Sequence, residues 1–150
     1  MEHRLPTVFT IGFTQKSAKQ FFESLGKAGV QRVIDVRLNN KSQLAGFSKR
    51  EDLTYFLNKI LGIGYLHEPL LAPTQEMLGE YKKNKGSWAD YEQRFLNLME
   101  QRKIEDVIPP EIVAGSCLLC SENQPHHCHR RLVADYLQKK WGRLEIRHLT

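Results

Sequence analysis

The stretch Ile112-Val-Ala-Gly-Ser-Cys-Leu-Leu-Cys120 is almost continuously apolar, and polar residues follow it at once. A strand of this composition is typical of the centre of a parallel sheet, where helices cover both faces and no side chain meets water. Residues 112–120 are therefore predicted to form the central strand of such a sheet.

Short β-rich runs and amphipathic stretches alternate on either side of this strand. Four further strands are predicted, over residues 7–11, 32–37, 63–67 and 144–149. Because these strands alternate with segments of helical spacing, the pattern indicates a three-layer α/β fold. We expect a mostly parallel sheet flanked by helices, with residues 1–150 forming a single domain.

The predicted helices have local start and stop signals. Ser17 and Ser48 are each followed three residues later by a Gln or Glu, which is the spacing of a capping box. Gly29 and Gly62 stand where the first two helices should end. The Pro109-Pro110 pair is expected to block any helix around it.

Composition excludes several classes of protein. The 150 residues are 41% hydrophobic and 26% charged, with a net charge of +5, which suits one soluble domain with one core. No apolar run reaches the roughly 18 residues of a membrane span, and the first residues lack the apolar region of a secretory signal. Three cysteines in a chain of this size favour reduced thiols over a disulfide framework, and hence a cytoplasmic location.

The carboxyl ends of parallel strands meet at one edge of a sheet, where ligands bind in open α/β folds. Gly12 could let a ligand approach the backbone, and Thr14 adds a hydroxyl beside it. Polar residues also follow the other strands. The substrate-binding candidates at this edge are Gly12, Thr14, Asp35, Arg37, Tyr65, His67 and Cys120, together with Arg130 from the last helix.

Two pairs among these candidates share a face of their strand. Asp35 and Arg37 lie two residues apart, and so do Tyr65 and His67. A charged pair on a covered strand has two interpretations, which the sequence leaves open. Asp35 and Arg37 either belong to a buried salt bridge with the neighbouring loop or line a ligand site.

The segment around the cysteines has two interpretations as well. Cys117 and Cys120 are three residues apart on one strand, so their side chains point to opposite faces and cannot bind one metal ion together. Cys117 is therefore interpreted as a buried core residue. A zinc site remains an alternative, with ligands drawn from Cys120, Cys128 and two of His126, His127 and His129.

The other interpretation is a thiol and anion site at the start of the last helix, which is predicted to open at His127 or Cys128. Free amides and the helix dipole there favour a thiolate and attract oxyanions, so Cys128 should be more acidic than an ordinary thiol. Cys128 is the predicted nucleophile, with His129 and Glu122 moving protons and Arg37 and Arg130 holding the anion. Alternatively, Arg130 or Arg131 pairs with Glu122 and only fixes the loop.

Five motifs together resemble domain-of-unknown-function family 488 of bacteria and archaea. They are Thr10-Ile-Gly-Phe-Thr14, Val33-Ile-Asp-Val-Arg37, Gly64-Tyr-Leu-His67, Leu118-Leu-Cys-Ser-Glu122 and Cys128-His-Arg130. The resemblance implies that the marked positions of the family are Gly12, Asp35, Arg37, Cys120, Glu122, Cys128, His129 and Arg130. It implies no activity. Asn39-Asn40 departs from the proline and serine that such proteins commonly carry there.

These observations support two hypotheses of different classes. The first is a cytoplasmic enzyme with an anion-binding Cys-His-Arg site, acting on a nucleotide or another phosphorylated small molecule. The second is a non-enzymatic module that binds nucleic acid through its basic C-terminal part, where six Lys or Arg stand against two acidic residues from His126 to Thr150. Its Cys/His cluster would then be structural. The sequence predicts no membrane partner and assigns neither a cofactor nor an oligomeric state.

Overall fold

The five strands form one parallel sheet in the order β3-β2-β4-β1-β5. The computed structural model describes residues 6–38, 50–83, 86–120 and 128–149. The strands are β1 (Thr7–Gly12), β2 (Arg32–Asp35), β3 (Gly64–His67), β4 (Ser116–Cys120) and β5 (Glu145–Leu149). Every neighbouring pair is parallel, so the predicted sheet and its central fourth strand are confirmed.

Helices cover both faces of this sheet. They are α1 (Ala18–Ala28), α2 (Arg50–Phe56, continued by a π-helical turn over Leu57–Leu61), α3 (Gln75–Lys83), α4 (Trp88–Arg102), α5 (Ile104–Val107), α6 (Pro110–Val113) and α7 (His129–Trp141). A short 3-10 turn, Pro69–Leu71, follows β3. Buried side chains of α1 and α2 pack on one face, and those of α3 to α7 pack on the other. No helix in the described ranges is long and apolar enough to cross a membrane.

The central strand is shorter than predicted. Residues 110–113 form helix α6, and Gly115 turns the chain into β4 with a φ of 76°. The expectation that Pro109-Pro110 blocks any helix was wrong, because Pro110 occupies the first turn of α6. Proline is accepted there, since the amide it lacks would have no partner within the helix.

The two cysteines of β4 face opposite layers, as their spacing predicts. Cys117 packs with Phe9 and Ile11 against α1 and α2. Cys120 packs on the other face, with the buried side chains of α7. The two-residue period of a strand therefore places the Cys117 thiol on the opposite face of the sheet from Cys120.

Helix α1 begins with the capping box that the sequence predicts. The Ser17 hydroxyl accepts a hydrogen bond from the Gln20 amide (3.1 Å), and the Gln20 side-chain oxygen accepts one from the Ser17 amide (3.0 Å). The predicted ends at Gly29 and Gly62 are also confirmed, with φ of 75° and 67° in the left-handed region. Ser48 lies outside the described residues.

Replacing the cap of α1 should destabilise the protein. We expect Ser17→Ala to lower the free energy of unfolding by about 1 kcal/mol, because the Gln20 amide loses its acceptor. Lys19→Ala, a neighbouring exposed position, is the matched control and should change stability little. Urea unfolding measures both, and equal stability of Ser17→Ala and the wild type would contradict the capping role.

Candidate active site at the carboxyl edge of the sheet

The end of β4 and the start of α7 are joined through their cysteines. Cys120 is the last residue of β4, Cys128 is the N-cap of α7, and their sulfurs form a disulfide. The expectation of three thiols is thereby corrected, since a single bridge needs only two cysteines that the fold brings together. Cys117 stays a free, buried thiol, and burial raises its pKa.

A buried arginine contacts one sulfur of this pair. Arg130 lies in the first turn of α7 with none of its side chain exposed. Its Nη1 donates to the Cys120 Sγ at 3.3 Å, and its Nε donates to the Thr10 hydroxyl at 3.3 Å. The Arg130 guanidinium therefore connects α7 to the ends of both β4 and β1.

The network continues to the edge strand β5. The Thr10 hydroxyl oxygen and His148 Nδ1 are 2.6 Å apart. The pKa of His148 is lowered by burial and by the charge of Arg130, which favours a neutral ring. In the tautomer with the proton on Nε2, Nδ1 accepts a hydrogen bond from the Thr10 hydroxyl, whose oxygen accepts from Arg130.

Sequence reasoning missed both Thr10 and His148 as parts of the site. Thr10 carried a usable signal, because it is polar within the otherwise apolar run of β1 and lies on the same face as Gly12. His148 carried none. Its role depends on β5 lying beside β1, which no local pattern encodes.

Asp35 and Arg37 form an ion pair with each other at the end of β2. Arg37 Nε and Nη2 each donate to a different Asp35 carboxylate oxygen at 2.8 Å, and the Arg37 amide adds a third bond at 3.0 Å. The side chains are 0% and 4% exposed for Asp35 and Arg37. The Tyr65 hydroxyl donates to Asp35 at 2.5 Å. Of the two interpretations left open, the buried salt bridge is observed, between the last residue of β2 and Arg37, which lies two residues beyond the strand.

Two histidines donate to backbone carbonyls around this ion pair. His67 Nε2 lies 2.9 Å from the Arg37 oxygen, and His129 Nε2 lies 2.7 Å from the Val36 oxygen. Because a carbonyl only accepts, each Nε2 carries the proton. His129 thus ties the first turn of α7 to the end of β2.

The structure brings most of the predicted residues to the carboxyl edge. Gly12 is the register partner of Cys120, and the Arg37 guanidinium carbon lies 5.3 Å from the centre of the Phe13 ring. Thr14 is exposed, in the turn after β1. Glu122 lies outside the described residues. The chain therefore forms two polar clusters, one around Arg37 and one around Arg130, which His129 connects.

The described residues bear on two interpretations of the cysteine segment, the zinc site and the pairing of Arg130 or Arg131 with Glu122. Arg131 pairs with Asp135 and Glu92, at 3.1 and 3.4 Å, whereas Glu122, His126 and His127 lie outside the described residues. Within the part of the chain that the structure describes, no three His, Cys, Asp or Glu side chains are grouped so as to hold a metal ion.

Comparison with known proteins identifies the family. The model of the domain of unknown function DUF488 matches residues 17–137. The chain belongs to this family. No curated protein matches it, and neither does any solved structure. The family that the sequence motifs resemble is therefore confirmed, and the chemistry has to be argued from the site itself.

Breaking the buried ion pair should be costly. We expect Asp35→Ala to lower the free energy of unfolding by about 3–5 kcal/mol, because it leaves the buried Arg37 charge unpaired. Tyr65→Phe removes only one hydrogen bond to the same carboxylate and should cost about 1 kcal/mol. Urea unfolding compares the two variants, and similar losses would show that Arg37 is readily solvated.

His148 should make stability depend on pH. Its lowered pKa means that the unfolded chain binds a proton near the usual value of 6.5 while the folded protein does not. Unfolding then takes up a proton, so the free energy of unfolding falls as the pH drops below about 6.5. His148→Gln keeps an acceptor for Thr10 but cannot titrate, and should show a shallower fall between pH 7.5 and 5 in urea unfolding. Parallel curves would contradict the assignment.

Proposed function

We propose that the protein is an enzyme that binds a nucleotide or another phosphorylated small molecule at the carboxyl edge of the sheet, with Cys128 as its reactive thiol after reduction. The observation that carries this proposal is the positive charge beside the two sulfurs. Helix α7 has the buried Arg130 in its first turn and no acidic residue there, whereas the charge of the neighbouring Arg131 is paired with Asp135 and Glu92. The amino end of a helix already carries partial positive charge, so this arrangement favours an anion.

A lysine from the turn after β1 supports the same conclusion. The pKa of Lys16 is lowered, first by burial and then by the charge of Arg130. Lys16 is therefore within the electrostatic field of Arg130, although it belongs to another element. A phosphate bound between α7 and this turn would offset both charges, which a neutral ligand would not do.

The side chains around this position have distinct roles in the proposal. Cys128 at the N-cap would act as nucleophile, since the amino end of a helix stabilises a thiolate. His129 is held to Val36 through Nε2, so it would exchange protons through Nδ1. Glu122 keeps its predicted role as an acid or base. Arg37 was predicted to hold the anion, but it is already paired with Asp35 and would contribute a rigid wall rather than net charge.

The anion site is tested by binding to the reduced protein. We expect inorganic phosphate and a nucleoside monophosphate to bind, and Lys16→Gln to weaken binding roughly tenfold, as for the loss of one charged hydrogen bond. Lys27→Gln is the matched control because Lys27 lies in the last turn of α1, which leads to the opposite edge of the sheet. Isothermal titration calorimetry measures each affinity.

Two outcomes of these measurements would overturn the proposal. One is the absence of phosphate and nucleotide binding at millimolar concentration, and the other is an equal effect of the two lysine variants. Elemental analysis of the same protein adds a separate criterion, since one zinc per chain would favour the nucleic-acid-binding module with a structural Cys/His cluster.

A further inference from the structure

The disulfide lies where the proposed reactive thiol should be. It connects the last residue of β4 to the N-cap of α7, across eight positions of sequence. Cys120 and Cys128 are 1% and 3% exposed. A sulfur bonded to another sulfur cannot attack a substrate, so the bonded form excludes the chemistry proposed for Cys128.

The two sulfurs have different surroundings. Cys120 Sγ accepts a hydrogen bond from Nη1 of the Arg130 guanidinium. Nε of the same guanidinium donates to the Thr10 hydroxyl. The side chain of Cys128 makes no capping hydrogen bond to α7. The helix end can stabilise a thiolate on Cys128, but the direct hydrogen bond from the Arg130 cation is the stronger interaction, so Cys120 is the better leaving sulfur when the bond opens.

We infer that Cys120 and Cys128 form a reversible dithiol–disulfide centre, in which Arg130 makes Cys120 the leaving sulfur and directs an incoming thiol to Cys128. Its regulatory meaning rests on the proposed function, because Cys128 is the thiol that the bridge protects. Thr10 and His148 are positioning residues in this centre, since they act through Arg130.

The exchange with a low-molecular-weight dithiol balances in two steps. One thiolate of the dithiol attacks Cys128 Sγ, the bridge breaks, and its electron pair goes to Cys120 Sγ beside Arg130. The second thiol of the dithiol loses its proton to water and attacks the first sulfur of the same dithiol, which is now bonded to Cys128. The Cys128 Sγ then leaves as a thiolate. The dithiol gives two electrons to the bridge and becomes a cyclic disulfide. The thiolates of Cys120 and Cys128 take up protons from water and become two thiols.

Thiol counting tests the reversibility of the centre. After treatment with oxidised glutathione, the denatured protein should show one thiol, that of Cys117, and after dithiothreitol it should show three. Three thiols under both conditions would overturn the inference, and so would one thiol that dithiothreitol does not increase.

Trapping identifies the sulfur that exchanges with small thiols. When the bridged protein is treated with reduced glutathione and quenched with iodoacetamide, the mixed disulfide should carry glutathione on Cys128 and the alkyl group on Cys120. Mass spectrometry of the peptides locates both groups. Glutathione found mainly on Cys120 would assign the roles the other way round and overturn the inference.

The role of Arg130 is tested by the rate of bridge reduction. We expect Arg130→Lys and Thr10→Val to slow reduction by dithiothreitol roughly threefold or more, because the leaving thiolate loses a well-held partner. Arg131→Lys is the matched control, since Arg131 pairs with Asp135 and Glu92. Thr10→Val keeps the test valid if Arg130→Lys fails to fold, and a wild-type rate in Thr10→Val would contradict the positioning role.

Failure of this inference is distinguishable from failure of the proposed function. The redox readouts need no substrate, and phosphate binding is measured on the reduced protein. Phosphate binding by a protein whose thiols never pair would overturn only the inference. A reversible bridge in a protein that binds no phosphate would overturn only the proposed function.

Discussion

The buried guanidinium of Arg130 is the interaction on which the arrangement of this edge depends. An arginine without solvent exposure is costly unless its donors find partners, and here they include Thr10 on β1 and the sulfur of Cys120 on β4. These contacts fix how α7 sits on the sheet. Its N-cap, Cys128, is consequently held against the end of the central strand, and the remaining features of the candidate site follow from that placement.

Arg37 is a second buried cation at the carboxyl edge of the sheet. Arg37, two residues after β2, is neutralised by Asp35 at the end of that strand, so the pair brings no net charge. The field that acts on Lys16 thus comes from α7, in agreement with Arg130 as the charge that lowers its pKa. His129 connects the two sides through the Val36 carbonyl. The apolar layers form the two cores of the fold, whereas these polar contacts connect α7 to the strand ends.

The same geometry connects sulfur chemistry with anion binding. The amino end of α7 favours negative charge on a bound phosphate and on a thiolate alike. Both therefore occupy the same electrostatic environment. In the bonded state Cys120 and Cys128 carry no charge, so the edge presents its positive groups without a thiolate. The proposed phosphate binding and the proposed redox control of Cys128 therefore both depend on the positive electrostatic field at the amino end of α7.

The sequence by itself determined the features that depend on neighbouring residues. Alternation of strands and helices predicted the three-layer parallel fold, the Ser17–Gln20 spacing predicted the start of α1, and the two-residue period separated Cys117 from Cys120. These signals are local because caps and strand faces are set within a few residues of backbone. Local signals also had limits, since Pro110 begins α6 where the proline pair was expected to exclude a helix.

Only the tertiary structure decided which distant residues meet. The contact of Arg130 with Thr10 joins positions 120 residues apart, and that of Thr10 with His148 joins positions 138 apart. Both require the strand order β4-β1-β5, which composition and periodicity do not encode. The Cys120–Cys128 bridge likewise depends on where α7 begins over the sheet. The candidate residues were predictable because strand ends share an edge, but their partners were decided by long-range packing.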